Sequence, residues 1–175
     1  MNLKSVSKKM SWILRHSPGD LKLSEGGWVD MDDFVKHSGI DAETVLFIVN
    51  RDEKKRYSYD SIGDRIRANQ GHSVPIDMGF EEKEPPDILY HGTVDRFEDS
   101  IFKNGILKMS RQYVHLSSDR SVAVMVGNRR GSCVILEVDS KRMYSDGIKF
   151  YQSENGVWLV DFVPVGYFRK IVWKR

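Results

Sequence analysis

Apolar residues fall at Val6, Met10, Ile13 and Leu14, the spacing of one helical face. That pattern predicts a helix stopping before Pro18, because a proline pushes the residue preceding it out of the α region. Trp28-Val29 reads as a short extended piece. Asp30 then caps a second helix carrying Met31, Phe34 and Val35, which Gly39 ends. Asp41 caps a third, with Val45, Ile48 and Val49 facing inward. Tyr57 and Tyr59 alternate with polar residues, Asp60 to Asp64 forms a turn, and Ile66 begins a return strand.

Three short helices followed by a hairpin resemble a winged helix, a fold that commonly binds nucleic acid but does not by itself establish function. The pattern breaks at Phe80-Glu81-Glu82-Lys83-Glu84-Pro85-Pro86-Asp87, where acidic residues and a Pro-Pro pair interrupt any period. The predicted organisation is a first lobe over 1–80, a linker over 81–87 and a strand-rich α+β lobe over 88–175. In that second lobe a helix carries Phe97 and Ile101 and ends at Asn104-Gly105. Strands are predicted at Val114 to Leu116, Val134 to Val138, Phe150-Tyr151, Val157 to Val163 and Phe168 to Trp173. A short helix from Arg120 to Val126 lies between the first two.

Composition adds boundaries rather than identity. The 175 residues are 40% hydrophobic and 30% charged, as in a soluble globular protein. No run of about eighteen apolar residues spans a membrane, and the N-terminus lacks the apolar stretch of a signal peptide, so the expected location is cytoplasmic. The net charge of +2 is too small to announce a nucleic-acid partner, which must be argued from local clusters. One cysteine, Cys133, lies in a strand-like run and reads as a buried, inert thiol. A disulfide and a cysteine-rich zinc site are excluded.

Candidate chemistry gathers in a few segments. Leu89-Tyr90-His91-Gly92-Thr93 and Tyr113-Val114-His115-Leu116-Ser117 each place a histidine and a hydroxyl at the end of an apolar run. An imidazole, an unobstructed glycine backbone and a hydroxyl together suit a ligand with ribose hydroxyls and an amide. A lone histidine is more often a satisfied, half-buried side chain, but two matching segments weaken that reading. Arg15-His16 ends the first helix, where cations suit the helix dipole and also suit a phosphate. Lys54-Lys55-Arg56-Tyr57 is either a solvated basic turn or a backbone-phosphate contact with Arg56 beside an aromatic ring. Ile66 to Ser73 is either a polar connector or the lining of a cleft between lobes. Arg111 precedes His115 by four residues. Val126-Gly127-Asn128-Arg129-Arg130-Gly131 lacks the flanking elements of a dinucleotide-binding glycine loop.

Taken in order, these segments, with Leu14 to Pro18 and Glu154 to Leu159, resemble the Tpt1/KptA family of RNA 2'-phosphotransferases over the whole chain. The resemblance implies a winged-helix RNA lobe and an ADP-ribosyltransferase-like, mixed α/β NAD lobe. It implies that Arg15, His16, Arg56 and Arg111 engage an RNA 2'-phosphate. It places His91, Gly92, Thr93, His115 and Ser117 in the NAD site, with Ile106 and Arg129 as further contacts of that lobe. The family's third NAD motif falls near Asn155-Gly156-Val157-Trp158, with Val157 where protein-modifying relatives carry a glutamate, and Glu154 nearby.

In the family's reaction, the RNA 2'-phosphate attacks the NAD ribose carbon that bears nicotinamide, giving RNA ADP-ribosylated on its phosphate. The ribose 2''-hydroxyl then attacks that phosphate, releasing 2'-hydroxyl RNA and ADP-ribose 1'',2''-cyclic phosphate. A phosphate monoester is already an anionic nucleophile, so guanidiniums that position it matter more than a carboxylate base. The expected partners are therefore RNA with an internal 2'-phosphate and NAD as co-substrate, with no metal, no membrane and a monomer by default. The alternatives are an ADP-ribosyltransferase acting on nucleic-acid ends or protein, and a non-catalytic winged-helix RNA-binding module.

Overall fold

Helix α1 (Leu3–Arg15) forms because its apolar positions share one face: Val6, Met10, Ile13 and Leu14 are all buried. Asn2 caps it, the side-chain oxygen accepting from the backbone N–H groups of Lys4 and Ser5. Helix α2 (Met31–Ser38) begins at the Asp30 cap and ends at Gly39, whose φ of +65° is the left-handed conformation of a helix stop. Helix α3 (Ala42–Arg51) begins at Asp41, which accepts from the Thr44 N–H at 2.8 Å. Strands β1 (Val29–Asp30), β2 (Tyr57–Asp60) and β3 (Arg65–Ala68) pair antiparallel in the order β1-β3-β2. Met10, Leu14, Phe34 and Ile66 are fully buried among these elements. Each such side chain contributes about 1.5–3 kcal/mol.

The computed structural model describes residues 2–129 and 131–172. Arg130 and the expected strand end at Trp173 lie outside the described residues. The chain divides into two compact units, Met1–Phe80 and Glu81–Arg175. The Pro-Pro segment is tied to the second unit: the Lys83 N–H donates to Phe150 O at 2.8 Å, Glu82 bridges to Tyr151, and Pro85 is buried. Among the described residues no helix is long and apolar enough to cross a membrane.

The second unit is a mixture of helices and small antiparallel sheets. It contains β4 (Ile88–Val94), α4 (Glu98–Asn104), β5 (Ile106–Leu107), β6 (Val114–Leu116), α5 (Arg120–Gly127) and β7 (Cys133–Asp139). After these come α6 (Ser140–Ser145), β8 (Phe150–Gln152), β9 (Trp158–Val160), β10 (Phe162–Val163) and β11 (Phe168–Ile171). The sheets have the orders β11-β7-β4, β6-β9-β8 and β10-β5. One expected strand, Val157 to Val163, is two. Trp158, Leu159 and Val160 are buried, exposed Asp161 turns the chain, and Phe162-Val163 pairs in another sheet. Phe97 stands just before α4 rather than within it. The two histidine segments lie in different sheets, with β4 in one and β6 in the other. They meet where Tyr90 and Ser117 exchange backbone hydrogen bonds of 2.8 and 2.9 Å.

Candidate functional site

In the first unit, Arg15 closes α1 and His16 is its C-cap. The Arg15 carbonyl accepts from the Ser73 N–H at 3.0 Å, which draws the polar run after β3 against the helix end. The Ser73 hydroxyl then lies 2.9 Å from His16 Nδ1. Ser73 was read only as the end of the Ile66 to Ser73 run and given no role of its own, because its partner is 57 positions away and no local signal connects them. Beneath them His72 is 1% exposed. Burial, and then the charges of Arg15, His16 and Arg67, push its imidazole down to about 4, so it is neutral at neutral pH.

Arg56 is held by Asp52, which binds both its backbone N–H and its guanidinium. The Asp52 side chain is 5% exposed and that of Arg56 34%, so the carboxylate anchors the guanidinium from below. Asp52 had no role in the sequence reading: the pair lies past the end of α3, where a four-residue spacing carries no helix-face signal. Tyr57 does not stand beside Arg56 as an available ring. It is 4% exposed and points into the core, its hydroxyl donating to Ser7 O at 2.6 Å and lying 2.7 Å from Ser11 Oγ. Adjacent strand residues face opposite ways, which explains the separation.

In the second unit the sheet junction brings His91, His115 and Arg111 together. His91 Nδ1 lies 3.0 Å from the His115 carbonyl oxygen, so it must be the protonated nitrogen, and Nε2 is left as a lone-pair acceptor. Arg111 Nη1 lies 3.0 Å from His115 Nδ1. A guanidinium only donates, so this nitrogen accepts and Nε2 carries the proton. The pair therefore presents one acceptor and one donor of fixed polarity. Burial holds His91 below the ordinary histidine range, the Arg111 charge adds to this, and the bond to the His115 carbonyl opposes it.

The remaining expected contacts divide. Thr93 follows on the His91 face of β4, whereas Ser117 uses its backbone to bridge Tyr90 and its hydroxyl to accept from the Asp119 N–H at 3.0 Å. Gly92 has its bare face against α5, not toward a ligand: a Cβ there would lie 1.9 Å from the Ala123 carbonyl oxygen. Gly127 answers from the helix, where a Cβ would lie 2.3 Å from Cys133 Sγ and 2.9 Å from Thr93 O. Cys133 Sγ donates to Val124 O, and burial pushes the thiol up, in keeping with an inert role. The Ile106 side chain is sealed in the core at 2% exposure, which leaves only its main chain for a ligand. Arg129 is exposed just past α5, its backbone bonded to Val126. Val157 and Glu154 lie on the turn between β8 and β9, which Ser153 closes through Asn155 and Val157.

The chain is similar to known sequences along most of its length. Residues 2–162 match the model of a family described as RNA 2'-phosphotransferase, Tpt1 / KptA family. A protein of Flavobacterium johnsoniae named "Probable RNA 2'-phosphotransferase" is 50% identical over 171 residues, 94% of each chain. Proteins of the same name from Nostoc punctiforme and Acaryochloris marina are 45% and 43% identical, each over 97% of both chains. The chain belongs to the Tpt1/KptA family of RNA 2'-phosphotransferases.

Proposed function

We propose that this protein is an NAD-dependent RNA 2'-phosphotransferase. It removes an internal RNA 2'-phosphate by transfer to NAD, giving 2'-hydroxyl RNA, nicotinamide and ADP-ribose 1'',2''-cyclic phosphate. The observation that carries the NAD part is the histidine pair at the sheet junction, one ring an acceptor and the other a donor, with Arg111 fixed beside them. That polarity fits a ribose diol or a carboxamide, each of which donates and accepts. Bound NAD supplies the electrophilic ribose carbon and the nicotinamide leaving group.

In this reading Arg15, His16, Arg56 and Arg111 hold the RNA 2'-phosphate, while His91, Thr93, His115 and Ser117, with main-chain groups of Gly92 and Ile106 and the exposed Arg129, orient NAD. Arginines suit the task because they stay charged throughout and match a phosphate with a planar fork. The Asp52 anchor leaves Arg56 oriented before a substrate arrives, so less ordering is needed at the reacting phosphate. His16, held by Ser73, donates to a phosphate oxygen or moves a proton in the second step. The first unit would be a winged-helix RNA module and the second an ADP-ribosyltransferase-type NAD module, both acting in the cytoplasm as a monomer.

Incubation with NAD and an internally 2'-phosphorylated oligonucleotide tests the proposal. The expected result is 2'-hydroxyl RNA with the cyclic phosphate, and unchanged RNA refutes it. Arg15→Ala, Arg56→Ala and Arg111→Ala should each lower turnover by at least about a hundredfold. With labelled NAD, a stable adduct on RNA ends or protein identifies a different ADP-ribosyl transfer. Intact NAD with measurable RNA binding identifies a binding module alone.

A further inference from the structure

Every fourth residue of α1 forms a row, Lys4, Lys8 and Trp12, that leads to the C-cap His16. Neighbours in this row are about 6 Å apart along the axis. The helix buries Val6, Met10, Ile13 and Leu14, whereas Lys4 and Lys8 are exposed and Trp12 is 60% exposed. The Trp12 and His16 rings stand 5.2 Å apart at 46°. The Trp12 carbonyl accepts from both the His16 and Ser17 N–H groups, at 2.9 and 3.0 Å, so the base of the indole is fixed relative to His16.

Exposed lysines on a helix need no explanation. One exposed apolar side chain needs none either, but Trp12 is the most exposed aromatic ring among the described residues and stands beside His16. Its neighbours indicate what covers it. Two cations on one side and the Arg15-His16 end on the other suit a polyanion with flat apolar faces, which describes single-stranded RNA better than an apolar protein surface.

We propose that this row is a docking track for the RNA strand beside the 2'-phosphate, with Trp12 stacking on a flanking base and Lys4 and Lys8 meeting backbone phosphates. The inference rests on the RNA reading above and names a specificity element that reading did not include. It predicts that the protein senses the bases next to the modified nucleotide by stacking, with little sequence preference, because every base has a π face.

The test is equilibrium binding of a fluorescein-labelled 2'-phosphorylated oligonucleotide, without NAD, to the full chain. A matched probe lacks the bases that flank the modified nucleotide. Trp12→Ala should bind the intact probe about tenfold more weakly and the base-free probe no more weakly than the wild type does, with Trp12→Phe restoring most of the loss. Lys4→Ala with Lys8→Ala should weaken both probes and make the salt dependence shallower by about one unit per lost contact. Equal binding by Trp12→Ala, an equal loss on both probes, or no binding by the wild type overturns the track. Normal binding without phosphate removal in the presence of NAD would instead refute the phosphotransfer reading and leave the track standing.

Discussion

His72 and His91 are neutral at neutral pH because burial and neighbouring cations both disfavour the imidazolium. The unfolded chain takes up protons on these rings near pH 6.5, the folded chain only at lower pH, so stability falls as pH drops through that window. For His72 the window runs from about 6.5 to about 4. Between about pH 7 and about pH 5 it removes about 2 kcal/mol, read as a lower urea midpoint, and His72→Asn should flatten the slope. Ser73 and Asp52 act through the residues they hold. Ser73→Ala should lower kcat several-fold through a less oriented His16, with Ser73→Thr restoring it, in steady-state assays on 2'-phosphorylated RNA. Asp52→Asn should lower kcat about tenfold by loosening Arg56.

At the scale of elements, α5 lies so close on β4 and β7 that a side chain is excluded on both sides, at Gly92 against the Ala123 backbone and at Gly127 against Cys133 Sγ and Thr93 O. Gly92→Ala should therefore destabilise the second unit by about 2–3 kcal/mol, measured by denaturant unfolding, and Gly127→Ala by a similar amount. In the sequence Gly92 looked like room for a ligand, because a missing side chain says nothing about which neighbour needs the space. The helices of the first unit were readable because caps and apolar spacing agree: Asp30, Gly39 and Asp41 all stand where the pattern places them. Strand β5 and helix α6 were missed, having only two and six residues in which to establish a period. The break at Asp161 was hidden because buried strands lack alternation, so β9 and β10 ran together as one apolar stretch. Of the site, the residue types and chain order were available from sequence. The tautomers of His91 and His115 were not, since each depends on a partner set by the fold.

Across the whole molecule, a net charge of +2 on 175 residues gives no broad field to draw in a polyanion. RNA affinity should then rest on a few local cations, and its logarithm should fall with that of salt concentration at a slope between roughly −2 and −4. A steeper slope would show that many more phosphates are engaged. The second unit adds a constraint of another kind at the bridge between Tyr90 and Ser117. Two main-chain bonds make that join, and the His91 ring adds a third to the His115 carbonyl, so the separation of His91 from His115 is set mostly by the frame and partly by one of the rings mounted on it. The His115 imidazole makes none of these bonds, whereas exchanging His91 removes the one its ring gives to the His115 carbonyl. A chain lacking only the His115 ring would keep the whole junction as an intact socket, suited to separating what the protein binds from what it converts.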